Sequence, residues 1–139
     1  MGARMMAGNT PNSLLLESKL AKFCQKLAAF LSSYGYLVVL NSITSVIDRG
    51  DTVVIDQLSH ASIVDAAFLS QNKSGKRVRP FKHNDMNDLE PQLKIIRKEN
   101  EGVGCLIVTE GVFGMHGNLA NLPEIVQLKN KYKRLPNAG

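Results

Sequence analysis

Three short stretches carry residue types able to handle a charged small molecule. They are Gly35-Tyr36, Ser59-His60-Ala61-Ser62, and Thr109-Glu110-Gly111-Val112-Phe113-Gly114-Met115-His116-Gly117. Gly35 and Tyr36 fall where an extended run gives way to a helical one. Free N–H groups at a helix N-terminus favour an anion, and a glycine lets a phosphate approach the backbone. A single glycine at such a junction is also the ordinary residue of a turn. His60 places an imidazole just after the next strand, where it either meets a ligand or caps and solvates the helix end. Glu110 supplies a carboxylate that either takes part in chemistry or orients its own loop. His116 reads as a surface loop residue.

The elements that must position these residues alternate along the chain. A helix begins near Pro11, whose missing N–H is harmless in a first turn, and Leu16, Leu20 and Phe23 recur at helical spacing. Ala28-Ala29-Phe30-Leu31 predicts a short strand, followed by a helix from Leu37 to Ile47 that ends at the turn Asp48-Arg49-Gly50-Asp51. Thr52–Asp56 is a buried strand, and a helix follows from Ala61 to Ser70, burying Ile63, Ala67 and Phe68. Gln71 to Lys76 is a polar loop. Val78 to Lys82 forms a strand, in which Pro80 points to an edge position where one ladder donor can be spared. Asp88 is the expected N-cap of a helix with Leu89, Leu93 and Ile96 on one face and Pro91 in its first turn. Gly104–Val108 leads into a strand ending at Thr109. Asn121 and Glu124 then resemble a capping box for a helix ending near Tyr132. Four strands alternating with helices predict an α/β domain of three layers, α/β/α, around a mostly parallel sheet. Ligands of such sheets collect at the carboxyl ends of the strands, which is where Gly35, Tyr36, His60 and Glu110 to Gly114 all fall.

Composition limits the rest. At 139 residues the chain suits one domain with its own core and is short for two. A hydrophobic share of 44% and a charged share of 21% are ordinary for a globular protein. The net charge of +5 comes mostly from Lys73 to Lys98 and from Lys129, Lys131, Lys133 and Arg134. It reads as a solvated surface, because no aromatic interleaving or zinc spacing marks a nucleic-acid module. Cys24 and Cys105 are too few and too scattered for a disulfide framework, and Cys105 reads as a small buried residue. Nothing spans a membrane or forms a signal peptide, and Met6 occupies the place where a myristoylation signal after Met1-Gly2 wants Ser or Thr. The expectation is an intracellular, cytoplasmic protein. A nucleotide-binding α/β domain is the bland alternative, but no Gly-x-Gly-x-x-Gly or P-loop pattern is present.

Taken together, these motifs resemble the α-oxoamine synthases, pyridoxal-phosphate (PLP) enzymes that condense an amino acid with an acyl-CoA, such as 8-amino-7-oxononanoate synthase and serine palmitoyltransferase. The family carries a Gly-Tyr or Gly-Phe pair whose backbone binds the PLP phosphate, matching Gly35-Tyr36, although Val38-Val39 replaces the usual Ala-Asn. Ser59-His60-Ala61-Ser62-Ile63-Val64-Asp65 is similar to the segment whose His stacks on the PLP ring, fixing the ring plane. The family commonly reads Thr-Glu-Gly-Val-Phe-Ser-Met-Asp-Gly-Asp where this chain has Gly114 for the Ser, His116 for the first Asp and Asn118 for the second. The Ser lies near the cofactor's phenolic oxygen. The resemblance thus implies cofactor-binding roles for Gly35, Tyr36, His60, Glu110 and Gly114. Gly2-Ala3-Arg4 and Gly8-Asn9-Thr10-Pro11 resemble a segment near the active-site entrance, with Ser13 in place of a usual His. His83-Asn84-Asp85 resembles a family turn, read here as a strand-to-helix turn using Asn and Asp as caps. Pro123-Glu124-Ile125-Val126 also suits the family.

The resemblance covers residues 1–134 as part of a large PLP domain of the aminotransferase class I/II kind. In the family, a following strand supplies Asp-Asp-Ala-His, whose Asp pairs with the pyridine nitrogen, and the Schiff-base lysine comes later. Neither motif occurs here, no metal-ligand spacing is present, and Leu135-Pro136-Asn137-Ala138-Gly139 reads as a tail unlike that strand. The implied activity is PLP-dependent acyl transfer between an acyl-CoA and an amino acid. The expectation for this chain is a truncated synthase, inactive alone and without a catalytic residue of its own. The implied assembly is a homodimer, or a heterodimer with a full-length relative. The rival expectation is a non-catalytic partner subunit of such a synthase.

Overall fold

Val53, Val54 and Ile55 are β-branched, and they form the centre of strand β1 (Thr52–Asp56), which is buried along its whole length. The structure is a computed structural model that describes residues 4–99 and 104–133. Gly2, Ala3, Arg134 and the tail 135–139 lie outside the described residues. Two units divide the chain, residues 1–35 and residues 36–139.

The second unit holds the sheet. β1 lies between β2 (Arg79–Phe81) and β3 (Cys105–Val108), and both neighbours run parallel to it. Alternation along β1 divides the core in two. Val53 and Ile55 pack with Ile43, Ile47, Ile63, Ala66 and Ala67, from α2 (Gly35–Val46), its end, and α3 (Ala61–Ser74). Val54 faces the other way, onto Phe81, Leu89, Leu93, Ile96 and Ile125, from β2, α4 (Met86–Glu99) and α5 (Leu122–Lys131). These are the three α/β/α layers expected, with three strands among the described residues instead of four.

The local differences have physical causes. α3 runs on to Ser74, so Gln71 to Ser74 is helix and not loop; it stops at Gly75, whose φ of 71° only glycine adopts freely. Ile63, Ala66, Ala67 and Ser70 make its buried face, which leaves Phe68 56% exposed. Asp85, not Asp88, caps α4: its carboxylate accepts the Asn87 and Asp88 N–H groups at 2.9 and 3.2 Å. The Asp88 carboxylate is already engaged by the Lys82 N–H at 2.9 Å. The helix therefore starts at Met86, and Pro91 lies inside it, past the first turn. Asn121 sits at the N-cap of α5 but makes no side-chain cap, so the expected capping box is absent. Instead the Asn121 N–H donates to Asn84 Oδ1 at 3.0 Å. α5 is tied to α4 through Glu90, which accepts from Lys131 Nζ at 2.5 Å and from the Tyr132 hydroxyl at 3.0 Å.

Pro80 occupies an outer strand, as its lost donor requires. Gln57 N–H donates to Phe81 O at 2.9 Å, so Arg79 and Phe81 turn their backbone groups toward β1 and Pro80 turns away. Its carbonyl accepts from Gln92 Nε2 at 3.1 Å.

In the first unit, α1 (Pro11–Phe23) begins at a reciprocal cap: Ser13 N–H donates to Thr10 Oγ1 at 3.2 Å, and Thr10 N–H to Ser13 Oγ at 3.0 Å. Leu16, Leu20 and Phe23 are exposed, and Ala21 is the buried residue of this helix. Ala28–Leu31 is not a strand. Both backbone groups of Leu31 are taken by side chains: its N–H donates to Glu17 Oε1 at 2.6 Å and its carbonyl accepts from Arg4 Nη1 at 2.9 Å. Arg4 also grips the Glu17 carboxylate with both Nη atoms and lies over the Phe30 ring at 4.5 Å. The Arg4 hydrogen bond, then the Leu31 N–H, hold the Glu17 carboxyl down at about 2 against an ordinary 4.5. These side chains replace the ladder a strand would have needed.

Candidate functional site

β1 and β3 end side by side, with Ile55 opposite Val108, so the loops that follow them emerge together. The first carries Ser59 and His60, the second Thr109 and Glu110. The Glu110 carboxylate accepts the backbone N–H of His60, binding the two loops to each other. His60 is the N-cap of α3: its Nδ1 accepts the Ser62 N–H at 3.1 Å and meets Ser62 Oγ at 2.8 Å. The ring thus satisfies an orphan helix donor while remaining exposed. Glu110 is half-buried, and its carboxylate is engaged by the neighbouring loop. Two hydroxyls beside these residues, Ser59 Oγ and Thr109 Oγ1, are buried without a hydrogen-bond partner among the described residues.

The loop beyond Glu110 folds back on itself. Val112 bridges to Leu119, Phe113 N–H donates to Asn118 O at 2.9 Å, and Gly117 N–H donates to Phe113 O at 2.7 Å. Gly117 has φ of 72°, the left-handed conformation the tight reversal needs. Phe113 is buried, while Gly114, Met115 and His116 are exposed at the tip, in keeping with the surface reading of His116. A Cβ on Gly114 would meet nothing within 4 Å.

Tyr36 lies at the start of α2, and its hydroxyl donates to Asp65 on α3 at 2.6 Å. That hydrogen bond raises the Tyr36 phenol above its ordinary value, with desolvation and the Asp65 charge adding to it. Gly35 opens the same helix, exposed and with free space where a Cβ would stand. The structure thus brings His60 and Glu110 together and gives Tyr36 a partner five residues beyond His60. Two clefts lie elsewhere: one of about 330 Å³ bordered by Lys76, Arg77, Arg79 and Glu99, one of about 420 Å³ between Glu17 and Ala29.

Sequence reasoning missed Asp65, Ser62 and Asp56. Asp56 is fully buried at the end of β1, where its carboxylate accepts from Leu58 N–H at 2.9 Å and Asn84 N–H at 3.1 Å and faces His83 Nδ1 at 3.1 Å. A charged residue closing an otherwise apolar strand is the signal that could have found it. In the His83-Asn84-Asp85 turn Asp85 is a cap, as read, but Asn84 is not: its side chain bonds Leu119 O and the Asn121 N–H instead. Cys105 is half-buried and desolvation pushes its thiol up, which suits a packing residue and not a nucleophile. Among the described residues, no group of side chains is arranged to hold a metal, and no helix is long and apolar enough to cross a membrane.

A parallel α/β/α domain with its polar residues gathered at strand ends defines a class, and comparison with known proteins narrows it. Residues 1–137 match the family model for aminotransferase class I and II, and the chain belongs to that family. It is 42% identical over 134 residues to the cysteate-C-fatty acyltransferase of Capnocytophaga ochracea, covering 95% of this chain and 31% of the relative. It is also 42% identical over 134 residues to the 8-amino-7-oxononanoate synthase of Geobacter sulfurreducens, covering 96% of this chain and 32% of the relative. Among solved structures, a serine palmitoyltransferase variant from S. paucimobilis with bound PLP–myriocin aldimine superposes with a TM-score of 0.84 at 31% identity. That likeness covers 95% of this chain and 31% of the other. The resemblance to α-oxoamine synthases read from the motifs is borne out, and the chain spans about a third of the length of these relatives.

Proposed function

We propose that this chain forms the phosphate-seating and ring-covering part of a PLP site in an acyltransferase joining an amino acid to an acyl-CoA. The observation that carries the reading is the Glu110–His60 link, which fixes an exposed imidazole at the carboxyl ends of two parallel strands. The residues present fit the group in part. Gly35 and Tyr36, at an exposed helix N-terminus, suit its phosphate. His60 would cover its ring, beside the buried hydroxyls of Ser59 and Thr109, which have no hydrogen-bond partner among the described residues. When bound, PLP supplies an electron sink for chemistry at the amino acid's α-carbon. The chain's own part is to hold the ring plane through His60, keep His60 in place through Glu110, and steady the phosphate helix through Tyr36 and Asp65.

Equilibrium dialysis with PLP tests this, with inorganic phosphate as competitor. The chain should retain PLP, phosphate should displace it, and His60→Ala and Gly35→Asp should each weaken retention by about tenfold, or 1.4 kcal/mol. No retention, or retention indifferent to both substitutions, overturns the reading. Borohydride reduction should leave no stable label; labelling of one specific lysine would show covalent chemistry that the motifs do not provide.

A second reading has its own observation. Leu15, Phe23, Leu27 and Phe30 in the first unit are all more than half exposed, an apolar surface suited to association. This favours a partner subunit of a full-length synthase in a reduced intracellular setting, where Cys24 and Cys105 stay free. Co-purification with a full-length synthase supports that reading; a chain that stays monomeric beside one excludes it.

A further inference from the structure

We infer that His83 is a positioning residue, its ring held between Asp56 and Asn118 so as to set where the β3 loop delivers Glu110 and Gly114. The inference rests on the PLP reading only for the purpose of that loop.

The ring's surroundings fix its chemistry. Asp56 is 0% exposed and its carboxylate already accepts two backbone N–H groups, from Leu58 and Asn84. Both of its oxygens stand 3.1 Å from His83 Nδ1. A carboxylate only accepts, so Nδ1 is the donor and carries the ring proton. Nε2 is then an acceptor, and Asn118 Nδ2 stands 3.1 Å from it, with Asn84 Nδ2 at 3.4 Å. The ring also meets Phe113 edge to face, 4.4 Å between centroids at 82°.

Apart from Asp56 on β1 and the adjacent Asn84, these partners belong to the far loop. Phe113 lies at the start of the fold-back and Asn118 at its end. The neighbouring Asn84, at φ of 53°, donates from its amide to Leu119 O at 2.9 Å and accepts the Asn121 N–H at 3.0 Å. The loop is closed on itself by the Phe113–Asn118 and Phe113–Gly117 hydrogen bonds, which tie its two limbs together. From that anchored piece Glu110 reaches back to the His60 N–H. Releasing His83 from Asn118 therefore loosens a bond formed on the opposite side of β1. An acidic residue at 118 would demand a second proton, on Nε2, where the amide demands none.

Amide hydrogen exchange and ring nitrogen shifts, measured without PLP, test this. In the intact chain His83 should show a protonated Nδ1 and an unprotonated Nε2. Asn118→Leu, at an exposed position, should speed exchange of the His60 amide by about tenfold while Val53 to Ile55 in β1 change little. His83→Phe should do the same if it folds. Asn118→Asp should keep His60 slow and convert Nε2 to the protonated type, a rescue with a changed signature. The inference is overturned if His60 exchange is indifferent to Asn118→Leu, if β1 accelerates equally, or if Nε2 carries the proton in the intact chain. Failure to retain PLP alongside the expected exchange would sink the cofactor reading and leave the positioning role of His83 standing.

Discussion

Glu110 and His60 are 50 residues apart in the chain, yet the carboxylate of one accepts the backbone N–H of the other. The bond is possible because β1 and β3 are parallel neighbours in register, so the residues just past their carboxyl ends meet. It gives the imidazole a fixed backbone without using the imidazole itself. His60 can then cap α3 through Nδ1 and still present its ring.

Removing that carboxylate should have a local cost. Glu110→Ala removes the charged acceptor of the exposed His60 N–H, which water can partly replace, and should destabilise the second unit by about 0.5–1.5 kcal/mol. Urea unfolding checks the magnitude, and the His60 amide signal should move far more than those of Leu89 or Leu93. A stability change without a change at His60 would mean that the bond is not what holds the loop.

Gly114 stands where the family motif that the sequence resembles has a serine, and nothing within 4 Å opposes a side chain there. Its φ is not among the positive ones, so the conformation suits an ordinary residue. Gly114→Ser should therefore be neutral, or stabilising by about 0.4–1 kcal/mol through the unfolded chain. It should also tighten PLP retention in dialysis by adding a hydroxyl to the site. A fall in melting temperature would show that the loop tip is less open than its geometry indicates.

Acid should loosen the first unit internally. The Glu17 carboxyl is held at about 2 by Arg4 and by the Leu31 N–H, below its ordinary 4.5. A lowered carboxylate stabilises fully above its unfolded value, so its contribution is complete above pH 4.5 and is lost as pH falls through about 2. The Leu31 amide resonance should shift across that window. Glu17→Gln should abolish the transition, and a Leu31 amide that ignores pH between 4.5 and 2 would refute the arrangement.

Much of the second unit was legible because burial follows periodicity. Leu89, Leu93 and Ile96 lie on one helical face and are all buried, and Ile63 and Ala67 behave likewise. Pro80 announced an edge strand because a missing donor has few other places to go. The apolar run Ala28–Leu31 misled, since such a run says nothing about what will pair with its backbone, and Arg4 and Glu17 took that part. Asp85 and Asp88 are equally good caps by type. The choice was made by the Lys82 N–H, which occupies Asp88. At the site, the motifs singled out His60 and Glu110 as separate residues, but their bond comes from the register of two strands. The Asp56–His83–Asn118 chain joins one strand end to two loops for the same reason, and no local pattern encodes it.

The orientation of Pro80 has a consequence for how this sheet can grow. Its backbone faces outward from β2 with no N–H to give, and its carbonyl is already occupied by Gln92. A strand arriving on that flank would find neither donor nor acceptor at the centre of the edge. The flank formed by Cys105–Val108 carries no proline and keeps its full row of backbone groups. Among the described residues, an additional strand would therefore meet a fuller row of donors at β3 than at β2.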